Sequence, residues 1–313
     1  MKTKRGLSLA ILTLLVISAP QQAAAQLKLV QTITLGSDFA GHFDHFGVDL
    51  EHDRLFATPA NKSVEVFNIK TGEHIRRIDG IGKPCAVFYR KDLNRIYVTD
   101  AEDGSLRIVD GDSYQIVKTV RLLPDADSIA YDPTTKYLYI DNGGKDANLS
   151  YEMVSIVDTT SGEKIADIKV DGNSLEAIVL ESGSPRMYVN NRAKNRVEII
   201  DRETRQLVGS LEITKGKVNV PMALDEKHHR LFVGCRDGNL VVFDTASGQE
   251  LQALPITKGT DDLVFDPESQ RIYVASDGGV DVYEESDPDR YKLLGKVATG
   301  PVAKTARLVP ELN

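Results

Sequence analysis

With 313 residues the chain is long enough for one large domain, and its formal net charge of −8 argues against a nucleic-acid platform, since holding phosphates needs a basic surface. Aromatic residues make up 6% of the chain and Trp is absent, so any core is built mainly from Val, Ile and Leu. Two cysteines invite one disulfide at most.

Residues 1–25 read as a signal peptide. "MKTKR" is a basic start, "LAILTLLVIS" is too short to span a membrane comfortably, and "AAA" before Gln26 suits a signal peptidase. Cleavage near Ala25 leaves a periplasmic or secreted protein. No Cys stands there to carry a lipid, and no later apolar run is long enough for a membrane helix. Next, "LKLVQTITL" (27–35) alternates like a strand, with no partner strand before it.

Then a unit recurs. In "NRIYVTDAEDGSLRIVDGDSYQIVKTV" (94–120), Ile96 and Val98, then Leu106 and Ile108, alternate with polar neighbours, and Asp103-Gly104 between them signals a hairpin. The same pattern begins at Asp53, Lys136, Pro185, His229 and Gln270. Its aromatic marker falls at Phe56, Tyr97, Tyr139, Tyr188, Phe232 and Tyr273, spaced 41, 42, 49, 44 and 41 residues apart. A fourth strand precedes each marker, as in "HFGVDL" and "LVFDP". A period in the forties with four strands per unit predicts an all-β propeller of four-stranded antiparallel blades, strands a to d running outward from a central axis.

The strand-b segments "RIYVTD", "YLYIDN", "RMYVNN" and "RIYVAS" resemble the YVTN-type β-propeller repeat. From residue 27 to 313 the chain resembles YncE-like secreted bacterial propellers. That resemblance implies a scaffold or binding platform; some such proteins are thought to bind DNA, which the acidic charge here disfavours. It also leaves enzymes open, since fold does not fix function.

Six complete repeats are visible. At the far end "AKTARLVPELN" looks like a further strand a, so the expected ring has seven blades within a single domain, 26–313. In it strand 27–35 supplies strand d of the last blade, while that blade's b and c strands are missing from this sequence. We expect a fragment; six blades with an adherent strand is the alternative.

Cys85 opens the second unit and Cys235 ends strand b of the fifth, on blades too far apart for the roughly 7 Å limit of a bridge, so both are expected as free thiols. In register, the start of strand a carries Asp44, Cys85, Asp127, Glu176, Val220 and Asp261, and the next position carries His45 and Asp262. His42 and Asp125 lie just beyond. These converge on the channel mouth of the top face, where a ligand site is expected at His42, Asp44, His45, Asp127, Glu176, Asp261 and Asp262. The b-to-c loops add Asn142, Asn191 and Arg236, and unit three lengthens its loop by about seven residues at "DNGGKDANLSYEM" (141–153).

Two readings follow. In the leading one, the chain binds a small ligand, peptide or envelope partner on that face, as a monomer and without chemistry of its own. Its carboxylates then cap strand starts and face water. In the alternative, His45, Asp127, Glu176 and Asp261 hold a divalent metal, and the chain is a lactonase- or esterase-like hydrolase with metal-bound water as nucleophile. No G-x-S-x-G, HExxH, C-x-x-C or EF-hand spacing supports other chemistry, no catalytic residue is assigned, and no cofactor other than the metal is called for. His228 and His229 fall in an a-to-b turn on the opposite face and read as solvated surface.

Overall fold

The computed structural model describes residues 27–36, 42–59 and 62–312; residues 1–25, expected as a signal peptide, lie outside them. Six four-stranded antiparallel meanders account for the strands. The first contains β1 (Gly47–Asp49), β2 (Arg54–Ala57), β3 (Val64–Asn68) and β4 (His74–Ile78). The second contains β5 (Pro84–Arg90), β6 (Arg95–Asp100), β7 (Ser105–Asp110) and β8 (Ile116–Arg121). The third contains β9 (Ile129–Asp132), β10 (Tyr137–Gly143), β11 (Tyr151–Asp158) and β12 (Glu163–Asp171). The fourth contains β13 (Leu175–Leu180), β14 (Arg186–Asn191), β15 (Arg196–Asp201) and β16 (Gln206–Glu212). The fifth contains β17 (Asn219–Asp225), β18 (Arg230–Cys235), β19 (Asn239–Asp244) and β20 (Glu250–Pro255). The sixth contains β21 (Asp262–Asp266), β22 (Arg271–Ser276), β23 (Gly279–Asp287) and β24 (Arg290–Ala298).

The first strands of successive sheets neighbour one another, β1 with β5, β5 with β9, and so on to β17 with β21, so they form the inner wall. Turn chemistry repeats with the blades. Asp53, Asn94, Lys136, His229 and Gln270, each just before strand b, adopt positive φ; the fourth blade has Pro185 there, whose ring fixes φ negative, and builds a different turn. Every blade also carries a bulge between strands c and d, from Val66/Phe67 to Val282/Tyr283. Each adds local twist to the outer pair.

The core lies between blades rather than within them. The marker aromatic of each blade packs against the next: Phe56 with Val87 and Ile96, Tyr97 with Leu138 and Val157, Tyr139 with Met187 and Val189, Tyr188 with Leu231 and Val241, and Phe232 with Ile272 and Val274. These markers are at most 1% exposed. Tyr273, the sixth, is only half-buried. Among the described residues no apolar cluster joins blade six to blade one. That seam is bridged by Asp262, which accepts from Ala306 N (2.7 Å) and contacts His45 Nδ1 (3.1 Å).

The described residues form no seventh sheet, and neither 27–36 nor 299–309 enters a ladder. Gln31 and Ile33 lie so close to Gly72 that a Cβ there would meet Gln31 Nε2 at 2.8 Å; with φ +75, only glycine suits the position. Cys85 and Cys235 are both buried and unbridged.

Candidate functional site at the channel mouth

Strand b holds the start of strand a in the next blade. Thr58 Oγ1 donates to Cys85 O (3.3 Å), Thr99 Oγ1 to Asp127 O (2.8 Å), and Asn190 Nδ2 to Val220 O (2.8 Å). Bulges in the a–b pairing at Pro84/Val87, Leu175/Ile178 and Asn219/Met222 lie at this same end and turn Cys85 and Glu176 out of the ladder. At the matching place in the third blade stands Asp141, an acid where the repeat puts donors. It is 1% exposed and its Oδ1 has no hydrogen-bond partner.

Asp44, Cys85 and Asp127 converge from blades one, two and three, each bringing one ligand atom within 4.8 Å of the others. Asp127 Oδ1 is buried and unpartnered. His45 sits beside them, with Nε2 at 3.6 Å from Asp44 and Nδ1 at 3.1 Å from Asp262. Behind Asp127 lie Asp141 and Glu152. Glu152 Oε1 accepts the Leu175 N–H at 2.9 Å.

Crowded carboxylates raise one another's pKa because charge is costly to bury and costlier beside like charge. Burial, then the Asp44 charge, pushes Asp127 up to about 7 against the pull of His45. Burial pushes Glu152 up to about 8, with Asp125 and Glu176 adding to it, and raises Asp141 well above the carboxylate range, helped by Asp127 and Glu152. Burial also raises Asp44, and it raises Asp125 with help from Asp146. For His45 burial works downward, yet Asp262, Asp44 and Asp127 together hold it well above its usual value. The Cys85 thiol is driven upward by burial and by Asp127 and Asp44.

The structure thus gathers the expected Asp44, His45, Asp127 and Asp262. Glu176 stands apart, bonded to Arg192 at 2.9 Å, although burial still lifts it to about 7. Asp261 is paired with Arg236 and, at 3.4 Å, with Lys304. His42 is exposed. Asn142 and Asn191 turn into their blades, at 1% and 0% exposure. Asn142 accepts the Leu123 N–H at 3.0 Å and donates to Ser155; Asn191 donates to Asp171 O at 2.8 Å, so both lock d-to-a loops. Sequence reasoning missed Asp141 and Glu152 as members and Cys85 as a ligand. Asp141 alone had a legible signal, a carboxylate at the donor position of the repeat.

A groove of about 540 Å³ opens elsewhere, between blades three and four at the opposite end, near Tyr131, Glu181 and Arg202. Two of its charged groups, Arg202 and Asp132, bond each other at 2.8 Å.

A solved structure, the hydrazine synthase of Kuenenia stuttgartiensis, superposes on 83% of this chain and 84% of its own with TM-score 0.65 at 15% identity, a likeness of fold. The chain is a β-propeller. No family model matches this propeller. Over 116 residues, 36% of the chain, it is 28% identical to the "Dihydro-heme d1 dehydrogenase" of Pseudomonas aeruginosa, and it spans 23% of that protein's length.

Proposed function

We propose that this propeller is an exported binding protein that takes a cation, a divalent metal or a small cationic ligand, at its channel mouth without chemistry of its own. One observation carries the reading: Asp44, Cys85 and Asp127 meet within 4.8 Å around a buried, unpartnered Asp127 oxygen. The mouth's other cations are shared out, Arg192 with Glu176, Arg236 and Lys304 with Asp261, and Lys83 with Asp125, so among the described residues His45 alone answers Asp44, Asp127 and Asp262, and the surplus acid must keep protons or take a further cation. Carboxylate, thiolate and imidazole donors suit Zn²⁺ among common divalent ions, and binding would displace the protons that the site otherwise retains. The finer placement among YVTN-type, YncE-like propellers rests on the strand-b motifs, and export rests on residues 1–25.

The name of the Pseudomonas relative raises a haem-type ligand. A macrocycle bearing carboxylates would have to be met by basic groups, and this mouth offers mainly acids, so we place the cation first. A second reading, a metal-dependent hydrolase of lactones or esters, is favoured by Asp127 and Glu176, both at about 7 and so suited to proton transfer near neutrality.

Elemental analysis after dialysis, on the wild type and an Asp44→Asn, Asp127→Asn double variant, tests the proposal. A content lower by about one equivalent of metal in the variant than in the wild type supports it. Equal metal content in both proteins refutes the mouth as a metal site. Metal-dependent turnover of lactones or esters would move the conclusion to the hydrolase.

A further inference from the structure

A second acidic cluster lies at the opposite end of the channel wall, where strand a of blade five ends against strand c of blade six. Asp225 closes β17, His228 follows in the turn, and Glu285 belongs to the end of β23. One ligand atom from each lies within 4.8 Å of the others, with His228 Nδ1 at 2.5 Å from Asp225 Oδ2. Asp225 and Glu285 are 2% and 4% exposed.

The repeat shows what is unusual here. The residue that follows the strand-c Asp or Glu makes the same backbone bond in each blade: Thr159 N to Lys136 O, Arg202 N to Pro185 O, Thr245 N to His229 O, and Glu285 N to Gln270 O. In blade four this position sends Arg202 back to Asp132 of blade three, an ion pair across the joint. In blade six it sends Glu285 toward Asp225 of blade five, a carboxylate against a carboxylate. No well-formed hydrogen bond reaches either Glu285 oxygen, although, beyond the upward push of burial, Asp225 and the Tyr291 hydroxyl stand close enough to shift its titration, Asp225 upward and Tyr291 downward. The neighbouring donors bond elsewhere: Tyr291 donates to Pro288 O (2.6 Å), and Arg230 bonds Pro288 O, His228 O and Asp289. Asp244 adds a further acid, 3.6 Å from Arg230.

We infer that Asp225, His228 and Glu285 form a second divalent-metal site, for Zn²⁺ or Mn²⁺, which ties blade five to blade six on the face opposite the mouth. Two carboxylates and one imidazole match the mixed oxygen and nitrogen sets that such ions favour. The ion takes the place that Arg202 fills two joints away, between blades three and four. His228, 23% exposed, leaves the cluster open to solvent on one side, so ions can enter and water can complete the coordination.

The test uses the full mature chain in the Asp44→Asn, Asp127→Asn background, which isolates this site from the mouth. Zn²⁺ or Mn²⁺ is titrated by calorimetry, with melting followed in parallel. The expected result is about one equivalent bound and a Tm rise of about 5 °C at 100-fold excess over Kd. Both effects should vanish in Glu285→Gln. Glu285→Arg, copying the Arg202–Asp132 joint, should melt at or above the metal-free parent and ignore metal, which separates loss of the site from loss of folding. Co²⁺ should give visible absorption bands that Glu285→Arg lacks. Absence of binding, or equal binding with and without Glu285, overturns the inference and leaves a carboxyl pair sharing a proton.

Discussion

Glu152→Gln is the sharpest probe of the mouth. Glu152 is 2% exposed, and its Oε1 accepts the Leu175 N–H, a bond that a glutamine oxygen preserves. What the substitution removes is the titration. The native carboxyl keeps its proton up to about pH 8, whereas the unfolded one loses it near 4.5. Stability from this group is therefore fullest below pH 4.5 and is lost as pH rises through 8. At about 1.4 kcal/mol per pH unit over the 3.5 units between 4.5 and about 8, the loss comes to roughly 5 kcal/mol. In a domain of this size that is about 8 °C in Tm. Urea titrations with chelator present, at pH 5 and pH 8.5, read it directly. Wild type and variant should agree within about 1 kcal/mol at pH 5, and the variant should be the more stable at pH 8.5. Parallel pH profiles, or a variant weaker at both values, would show that Glu152 is ionised in the native protein and would refute the reasoning.

Three further substitutions test the joints between blades. Arg202→Ala strands Asp132, 6% exposed, and removes bonds to Glu181 O and Ser184 O; a loss of about 3–5 kcal/mol in urea unfolding is expected. Thr99→Val leaves Ala86 N and Asp127 O without their partner, and should cost about 1–3 kcal/mol, with Thr99→Ser recovering most of it. Tyr188→Ala should cost about 3–5 kcal/mol in the same assay, while Tyr273→Ala, at the half-buried sixth marker, should cost about 1. Equal losses for the two tyrosines would mean that Tyr273 has a packed neighbour.

The blades were legible because each is local: a marker aromatic, three turns and a two-residue period recur within some forty residues. The same register brought Asp44, His45 and Asp127 to one place. It failed at Asn142 and Asn191, one step beyond the donor position on strand b, where alternation turns side chains back into the blade. It failed again at Glu285 and His228, since a charge reads as surface until a neighbouring blade closes over it. Glu285 faces Asp225 across sixty residues of intervening chain, a pairing that no single unit encodes.

The seam between blades one and six has a mechanical consequence. Among the described residues, five apolar joints link the six blades, an arrangement that behaves as a linear stack with two ends rather than as a ring closed by a sixth. Each terminal blade is gripped on one side, so amide exchange should be fastest in β1–β4 and β21–β24 and slowest in the third and fourth blades. The clasp between those ends includes His45 and Asp262, and its charge attraction fades once His45 loses its proton. Alkaline solution should therefore loosen the stack first at the mouth, so that filling the site and keeping the ends together draw on the same imidazole.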